Sequence, residues 1–102
     1  MIYNKLVRDK IPEIVKEDGK TPITHIANDE EFWNKLKEKL NEETQEFFGA
    51  ISEEELADVF EVLEKICMFK GMNKKEIAWE RKFKAKERGV FNKRIILEEV
   101  RE

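Results

Sequence analysis

Cysteine, histidine, proline and glycine are all scarce in this sequence, which has one, one, two and four of them in 102 residues. The single cysteine, Cys67, permits no internal disulfide and suits a reducing compartment, so we expect a cytoplasmic protein with Cys67 in its core. No apolar run is long enough to span a membrane and no signal-peptide pattern opens the chain, so no membrane partner is expected. Internal repeats, linkers and low-complexity tracts are also absent.

Positive charge is not in surplus either, because the sequence has 20 lysines and arginines but 23 aspartates and glutamates, which gives a net charge of −3. Without a basic surplus to neutralise phosphates, the composition argues against general nucleic-acid binding. The length predicts a single domain covering residues 1–102. Two tryptophans and seven phenylalanines are many for a chain that is 42% charged. We therefore expect a modest core and exposed apolar surface that a homodimer or homotetramer would cover.

Three capping boxes predict the starts of three long helices, since Asn or Ser followed three residues later by Glu satisfies the free N–H groups at a helix start. The boxes are Asn28 with Glu31, Ser52 with Glu55, and Asn73 with Glu76. The first helix should end near Phe48, the second should run from about Glu53 to Phe69, and Gly89 should stop the third. These features predict an all-α fold, a helical hairpin-based bundle completed by oligomerisation.

The two ends of the chain are less regular, and short extended segments are expected near both termini. Met1 to Val7 is predicted to be an extended arm, and Asp9 is predicted to cap a short helix that stops before Gly19. Thr21 to Ala27 has the composition of a connector or a short strand. Arg94 to Val100 is compatible with a short strand or a helix, and the sequence alone does not decide between them.

Acidic side chains interrupt the apolar face of the predicted hairpin. Glu43 falls within an apolar stripe at helical spacing, between Leu40 and Phe47. Glu42 and Glu46 lie in the same sector of that helix, because residues three and four apart are neighbours on a helix surface. A carboxylate on a face that should be buried is unusual and needs a partner.

The second helix of the hairpin carries Glu55 and Asp58, three residues apart. With a short turn between the helices, a rise of about 1.5 Å per residue places Glu55 level with Glu46 and Asp58 level with Glu43. Like charges brought face to face repel one another, and a cation removes that conflict. Oxygen ligands without a nearby second histidine or cysteine favour Mg²⁺ or Mn²⁺ over zinc, and we take the lone His25 as structural.

Simpler explanations stay open at this point. Glutamates are expected in such a charged chain, Ser52 with Glu55 is a capping box that requires no metal, and acids complement a helix N-terminus. Capping does not explain Glu43 and Asp58. The basic residues Lys5, Arg8 and Lys10 likewise form either a phosphate-contacting arm or a solvated basic stretch.

The acidic motifs and both ends of the chain converge on one family. Glu42-Glu43-Thr44-Gln45-Glu46 matches EExxE, and Glu55-Leu56-Ala57-Asp58 matches ExxD on the next helix. With these motifs the chain resembles the all-α nucleoside triphosphate pyrophosphohydrolases, the superfamily of MazG and phosphoribosyl-ATP pyrophosphohydrolase. Its opening Tyr3–Pro12 and its C-terminal segments Lys84–Phe91 and Lys93–Leu97 look like a phosphoribosyl-ATP pyrophosphohydrolase-like branch of small stand-alone members.

Two features depart from that family. The gap of eight residues between the acidic motifs is shorter than usual, which fits a tight hairpin but narrows any substrate cleft. Val90 stands where the branch tends to have a second glycine, so that turn is expected to differ.

The resemblance implies a helical bundle completed by a second subunit, and attack of water on a nucleotide α–β phosphoanhydride to give a monophosphate and pyrophosphate. The substrate would be a nucleoside triphosphate or a phosphoribosyl-ATP-like nucleotide, and the cofactor Mg²⁺ or Mn²⁺. The implied metal ligands are Glu43, Glu46, Glu55 and Asp58. The implied catalytic carboxylates are Glu42, Glu43 and Glu46, with Glu42 orienting water. The implied substrate-binding cations are Lys5, Arg8, Lys84 and Arg88. The alternative function is a non-catalytic helical module that oligomerises or binds nucleotides.

Overall fold

The structure, a computed structural model, describes residues 2–102 and contains four helices in that range. They are α1 (Ile11–Glu17), α2 (Asp29–Gly49), α3 (Glu53–Phe69) and α4 (Lys74–Arg88). No strand occurs among the described residues, so the prediction of an all-α fold is confirmed. No helix within residues 2–102 combines the length and the apolar character needed to cross a membrane.

The three long helices begin where the capping residues place them. The Asn28 side chain accepts a hydrogen bond from the Glu31 N–H at 2.9 Å, and Ser52 Oγ accepts one from the Glu55 N–H at 3.1 Å. The Asn73 side chain accepts from two backbone N–H groups of the first turn of α4. Each cap satisfies donors that have no partner inside the helix, which is why these starts are predictable from local sequence.

The start of α1 differs from the prediction that Asp9 caps it. The residue before the helix is Lys10, whose backbone is already helical at φ −90° and ψ −4°, and no side-chain cap is formed. A capping side chain acts from extended backbone, whereas α1 grows out of a turn in which the Ile11 N–H donates to the Arg8 carbonyl. The predicted end is correct, because Gly19 follows the helix with φ +78°.

The two segments for which the sequence left more than one structure open contain neither a helix nor a strand. Thr21 to Ala27 is a connector without a strand, and residues 94–100 form neither a strand nor a helix. A strand needs a neighbour to satisfy its backbone groups, and no sheet edge exists among the described residues. His25 lies in the connector with Nε2 at 2.9 Å from the Glu31 carboxylate, which agrees with a structural role.

Helices α2 and α3 form an antiparallel hairpin that holds the small core. Leu36 and Val62 are the apolar residues that become buried within the described chain. At the end of the hairpin away from its turn, Phe32 meets Phe69 edge to face with ring centroids 5.0 Å apart. Trp33 stacks on the same Phe69 ring at 6.2 Å. This aromatic contact closes the far end of the hairpin, and the acidic residues lie toward the turn.

Helix α4 projects from the hairpin, and the chain is elongated as a result. The chain measures 64 × 31 × 26 Å with a radius of gyration of 18.7 Å. A compact domain of this length has a radius of gyration of about 13 Å. Cys67, predicted in the core, is half-buried, while Phe60 on α3 and Trp79 on α4 are 62% and 59% exposed. A single copy of the chain therefore leaves much apolar surface uncovered.

Candidate metal centre

Glu43 is the one acidic residue of the described chain that is buried. It lies on the core face of α2, seven residues after Leu36, and is 7% exposed. Its helical neighbour Lys39 places Nζ 3.3 Å from Glu43 Oε1. The interrupted apolar stripe in the sequence thus becomes a carboxylate inside the hairpin. The other carboxylate oxygen, Oε2, has no hydrogen-bond partner among the described residues.

Two groups of three carboxylates meet at Glu43. Glu42, Glu43 and Glu46 of α2 each offer one oxygen, and these oxygens lie within 4.8 Å of one another. Glu43 also forms such a group, at the same limit of 4.8 Å, with Glu55 and Asp58 of α3. The hairpin therefore brings acids from both helices together, and Glu43 meets Asp58 as their depth along the helices predicts, whereas Glu55 groups with Glu43 and not with Glu46 as predicted. Glu46 is exposed and belongs to the group with Glu42, and is not in the group with Glu55 and Asp58.

The chemistry of the cluster fits a hard divalent cation. Oε2 of Glu43 and Oε2 of Glu55 are inaccessible to solvent and have no hydrogen-bond partner within residues 2–102. A buried anionic oxygen without a partner is costly, and a cation between the two helices would give both oxygens one. Oxygen-only ligands are the set that Mg²⁺ and Mn²⁺ prefer. Glu43, Glu55 and Asp58 are the residues that would hold it.

The protonation of Glu43 reflects this burial. Removal from water raises the pKa of the Glu43 carboxyl above its ordinary value of 4.5, and the nearby negative charge of Glu46 adds to the rise. The hydrogen bond and positive charge of Lys39 oppose it without cancelling it. A bound cation would reverse the balance, because metal ligands must be deprotonated.

The N-terminal arm, residues 3–9, crosses the acidic cluster. Lys5 Nζ lies 3.2 Å from Glu42 Oε1, and Arg8 Nη2 lies 2.7 Å from Asp58 Oδ1. Lys35 holds the start of the arm by donating to the Asn4 carbonyl at 2.7 Å. Two of the four cations named from the sequence are therefore placed beside the carboxylates.

The other two basic residues named from the sequence form no ion pair with these carboxylates. Lys84 and Arg88 are exposed on α4, and neither forms an ion pair with another residue in the described part of the chain. The cation that sequence reasoning missed is Lys39, whose Nζ lies 3.6 Å from Glu42 Oε2 and contacts Glu43 as well. Its position three and four residues before these acids was the available signal.

Comparison with known proteins adds little to this geometry. An uncharacterised protein of Mycolicibacterium smegmatis is 44% identical over 46 residues, which cover 45% of this chain and 47% of that protein. The match thus spans about half the length of the curated relative. No family model matches the chain, and no solved structure matches it. The class that the structure defines is an all-α protein with a carboxylate cluster inside a helical hairpin.

Proposed function

We propose that this protein is a Mg²⁺-dependent nucleotide pyrophosphohydrolase that cleaves an α–β phosphoanhydride and releases pyrophosphate. The observation that carries the proposal is the meeting of Glu43, Glu55 and Asp58 inside the hairpin, with two buried carboxylate oxygens lacking partners. The ion pair of Glu43 with Lys39 leaves Glu43 Oε2 without a partner, and a solvated acidic surface would not bury Glu43. A cation site accounts for both features.

The motif resemblance supports the same proposal. The residues that match EExxE and ExxD are the residues whose oxygens meet, although they come from two helices and are separated by a turn. The group of Glu43, Glu55 and Asp58 spans both helices, which spacing along one helix does not produce. We therefore propose membership of the MazG-like superfamily, in its phosphoribosyl-ATP pyrophosphohydrolase-like stand-alone branch.

The roles of the acids follow from their positions. Glu43, Glu55 and Asp58 would hold a divalent cation, which would supply Lewis-acid activation of the phosphoanhydride and of the attacking water. Glu42 lies beside that group and is half-buried, so it can orient the attacking water and accept its proton. Glu46, more exposed and next to Glu42, extends the cluster toward solvent, where a second ion would bind.

The cations of the arm complete the proposed site. Lys5 and Arg8 lie at the edge of the cluster with their side chains 53% and 58% exposed, so they can reach phosphates that approach from solvent. A guanidinium and an ammonium there would offset the charge of the leaving pyrophosphate. Lys84 and Arg88 do not reach the acids of their own chain, so we propose that they act only on a neighbouring copy.

Oligomerisation is part of the proposal. Exposed apolar side chains line the groove between α3 and α4, including Phe60, Leu63 and Ile77. Trp79 and Phe83 stack on each other at 5.1 Å on another side of α4 and remain 59% and 46% exposed. A second copy would cover this surface in a homodimer or a homotetramer.

The first test is pyrophosphate release from a panel of nucleoside triphosphates and phosphoribosyl-ATP, with and without Mg²⁺. We expect release from at least one nucleotide, dependent on Mg²⁺, and a loss of about a hundredfold or more in Glu46→Gln. Glu54→Gln, an exposed glutamate in the first turn of α3, is the matched control and should retain turnover. No turnover across the panel, or full turnover in Glu46→Gln, would contradict the proposal.

The second candidate function is a helical module that binds nucleotides, or another copy, without hydrolysis. The ion pairs of Lys5 and Arg8 favour it, since they neutralise part of the cluster without any metal. Nucleotide binding in calorimetry without product would select the nucleotide-binding module. No rise in melting temperature on adding Mg²⁺ would select a purely structural role for the acids, because a ligand of the folded state raises it.

A further inference from the structure

The N-terminal arm and a divalent cation would compete for the same carboxylates. Arg8 Nη2 is 2.7 Å from Asp58 Oδ1, and Asp58 is one of the three residues that would hold the cation. Lys5 Nζ lies 3.2 Å from Oε1 of Glu42, the carboxylate proposed to orient the attacking water. Arg8 therefore binds a carboxylate that would hold the cation, and Lys5 binds the carboxylate that would orient the attacking water.

The arm is held weakly enough to be displaced. Residues 2–8 form no helix or strand, and Tyr3 is 67% exposed. Leu6 is the one half-buried side chain of the arm. What remains are the exposed ion pairs and the contact between Lys35 and the Asn4 carbonyl. Exposed ion pairs contribute little to stability, so the arm can leave without unfolding the hairpin.

The net charge of the cluster determines how strongly it attracts Lys5 and Arg8. Five carboxylates in the cluster face three cations, Lys5, Arg8 and Lys39, so the metal-free cluster keeps a negative surplus. A divalent ion halves the negative charge that Lys5 and Arg8 face, because Lys39 alone would otherwise offset the five carboxylates, and so weakens the attraction that holds the arm. The phosphates of a nucleotide then bring new negative charge to the same edge, where a flexible ammonium and a guanidinium bind well.

We propose that Lys5 and Arg8 close the acidic cluster in the metal-free protein, that a divalent cation displaces them, and that they then bind the phosphates of the nucleotide. The arm is thus an autoinhibitory contact that becomes part of the substrate site. This proposal rests on the proposed function, because it requires a cation to bind at Asp58 and its neighbours.

The first test is the affinity for Mg²⁺ by calorimetry in the absence of nucleotide. Arg8→Gln removes a competitor for Asp58, and Lys5→Gln removes a positive charge beside the cluster, so each should bind Mg²⁺ about twofold to fivefold more tightly than the unaltered protein. Lys10→Gln is the matched control, since it removes the same charge from an exposed position next to the arm and should change nothing. A residue that merely supports the ligands would give the opposite sign, and unchanged or weaker binding in Arg8→Gln overturns the proposal.

The second test follows the arm directly. A nitroxide label on Tyr3→Cys, in a Cys67→Ser background, reports the mobility of the arm by electron paramagnetic resonance. Mobility should rise on adding Mg²⁺ and fall again when inorganic pyrophosphate is added to the Mg²⁺-loaded protein. With Arg8→Gln, the label should already be mobile without Mg²⁺. If Mg²⁺ binds and the label does not respond, this inference fails while the proposed function stands; if Mg²⁺ does not bind, both fail.

Discussion

Glu43→Gln is expected to make the metal-free protein more stable, to abolish its response to Mg²⁺ and to lower pyrophosphate release by about a hundredfold or more. Burial raises the pKa of Glu43, so the folded chain holds this proton more tightly than the unfolded chain. That contribution to stability is complete below the ordinary pKa of 4.5 and is lost as the pH rises through the raised value. At neutral pH, Glu43→Gln therefore removes the free-energy cost of burying an ionised carboxylate.

Thermal melts with and without Mg²⁺ across pH 5–8 check this prediction. The unaltered protein should gain melting temperature from Mg²⁺ at neutral pH and gain less as the pH falls, because protons compete for the ligands. Glu43→Gln should have a higher melting temperature without metal, and Mg²⁺ should not raise it further. Glu54→Gln, at an exposed position outside the cluster, should behave like the unaltered protein. A variant that starts lower without metal would show that Lys39 outweighs the burial of Glu43.

Trp79→Ser combined with Phe83→Ser is expected to separate the proposed oligomer into single chains. The two rings stack at 5.1 Å on a helix that packs little against its own hairpin, so they contribute more to association than to folding of one chain. Two aromatic side chains at an interface are together worth about a thousandfold in dissociation constant. Sedimentation velocity over a range of concentrations measures the change.

The control for this variant is Ala78→Ser combined with Ala85→Ser, which places two serines elsewhere on α4 and removes no aromatic surface. It should keep the mass of the unaltered protein. A monomeric unaltered protein would contradict the proposed oligomer, and an unchanged mass in the aromatic variant would place the interface elsewhere. Loss of turnover together with the oligomer would show that the site needs a neighbouring copy, as the proposed roles of Lys84 and Arg88 require.

Local sequence signals were sufficient for most of the secondary structure. Asn28, Ser52 and Asn73 satisfy N–H groups within three residues, so their helices start where the sequence predicts, whatever surrounds them. Asp9 does not cap α1 because the helix begins from a turn in which the Ile11 N–H donates to the Arg8 carbonyl and the Lys10 backbone is already helical. The composition of residues 94–100 left strand and helix open, since either needs a packing partner that one chain does not provide.

The sequence by itself determined that Glu43 lies on an apolar helix face and that Glu55 and Asp58 follow at the matching depth. These relations depend on helical periodicity and a short turn, which are properties of neighbouring residues. Only the tertiary structure decided that Glu55 joins Glu43 and Asp58 without Glu46, that Lys5 and Arg8 cover the acids, and that Lys84 and Arg88 form no ion pair with them in the described chain. Those relations depend on the paths of the arm and of α4, which no local pattern specifies.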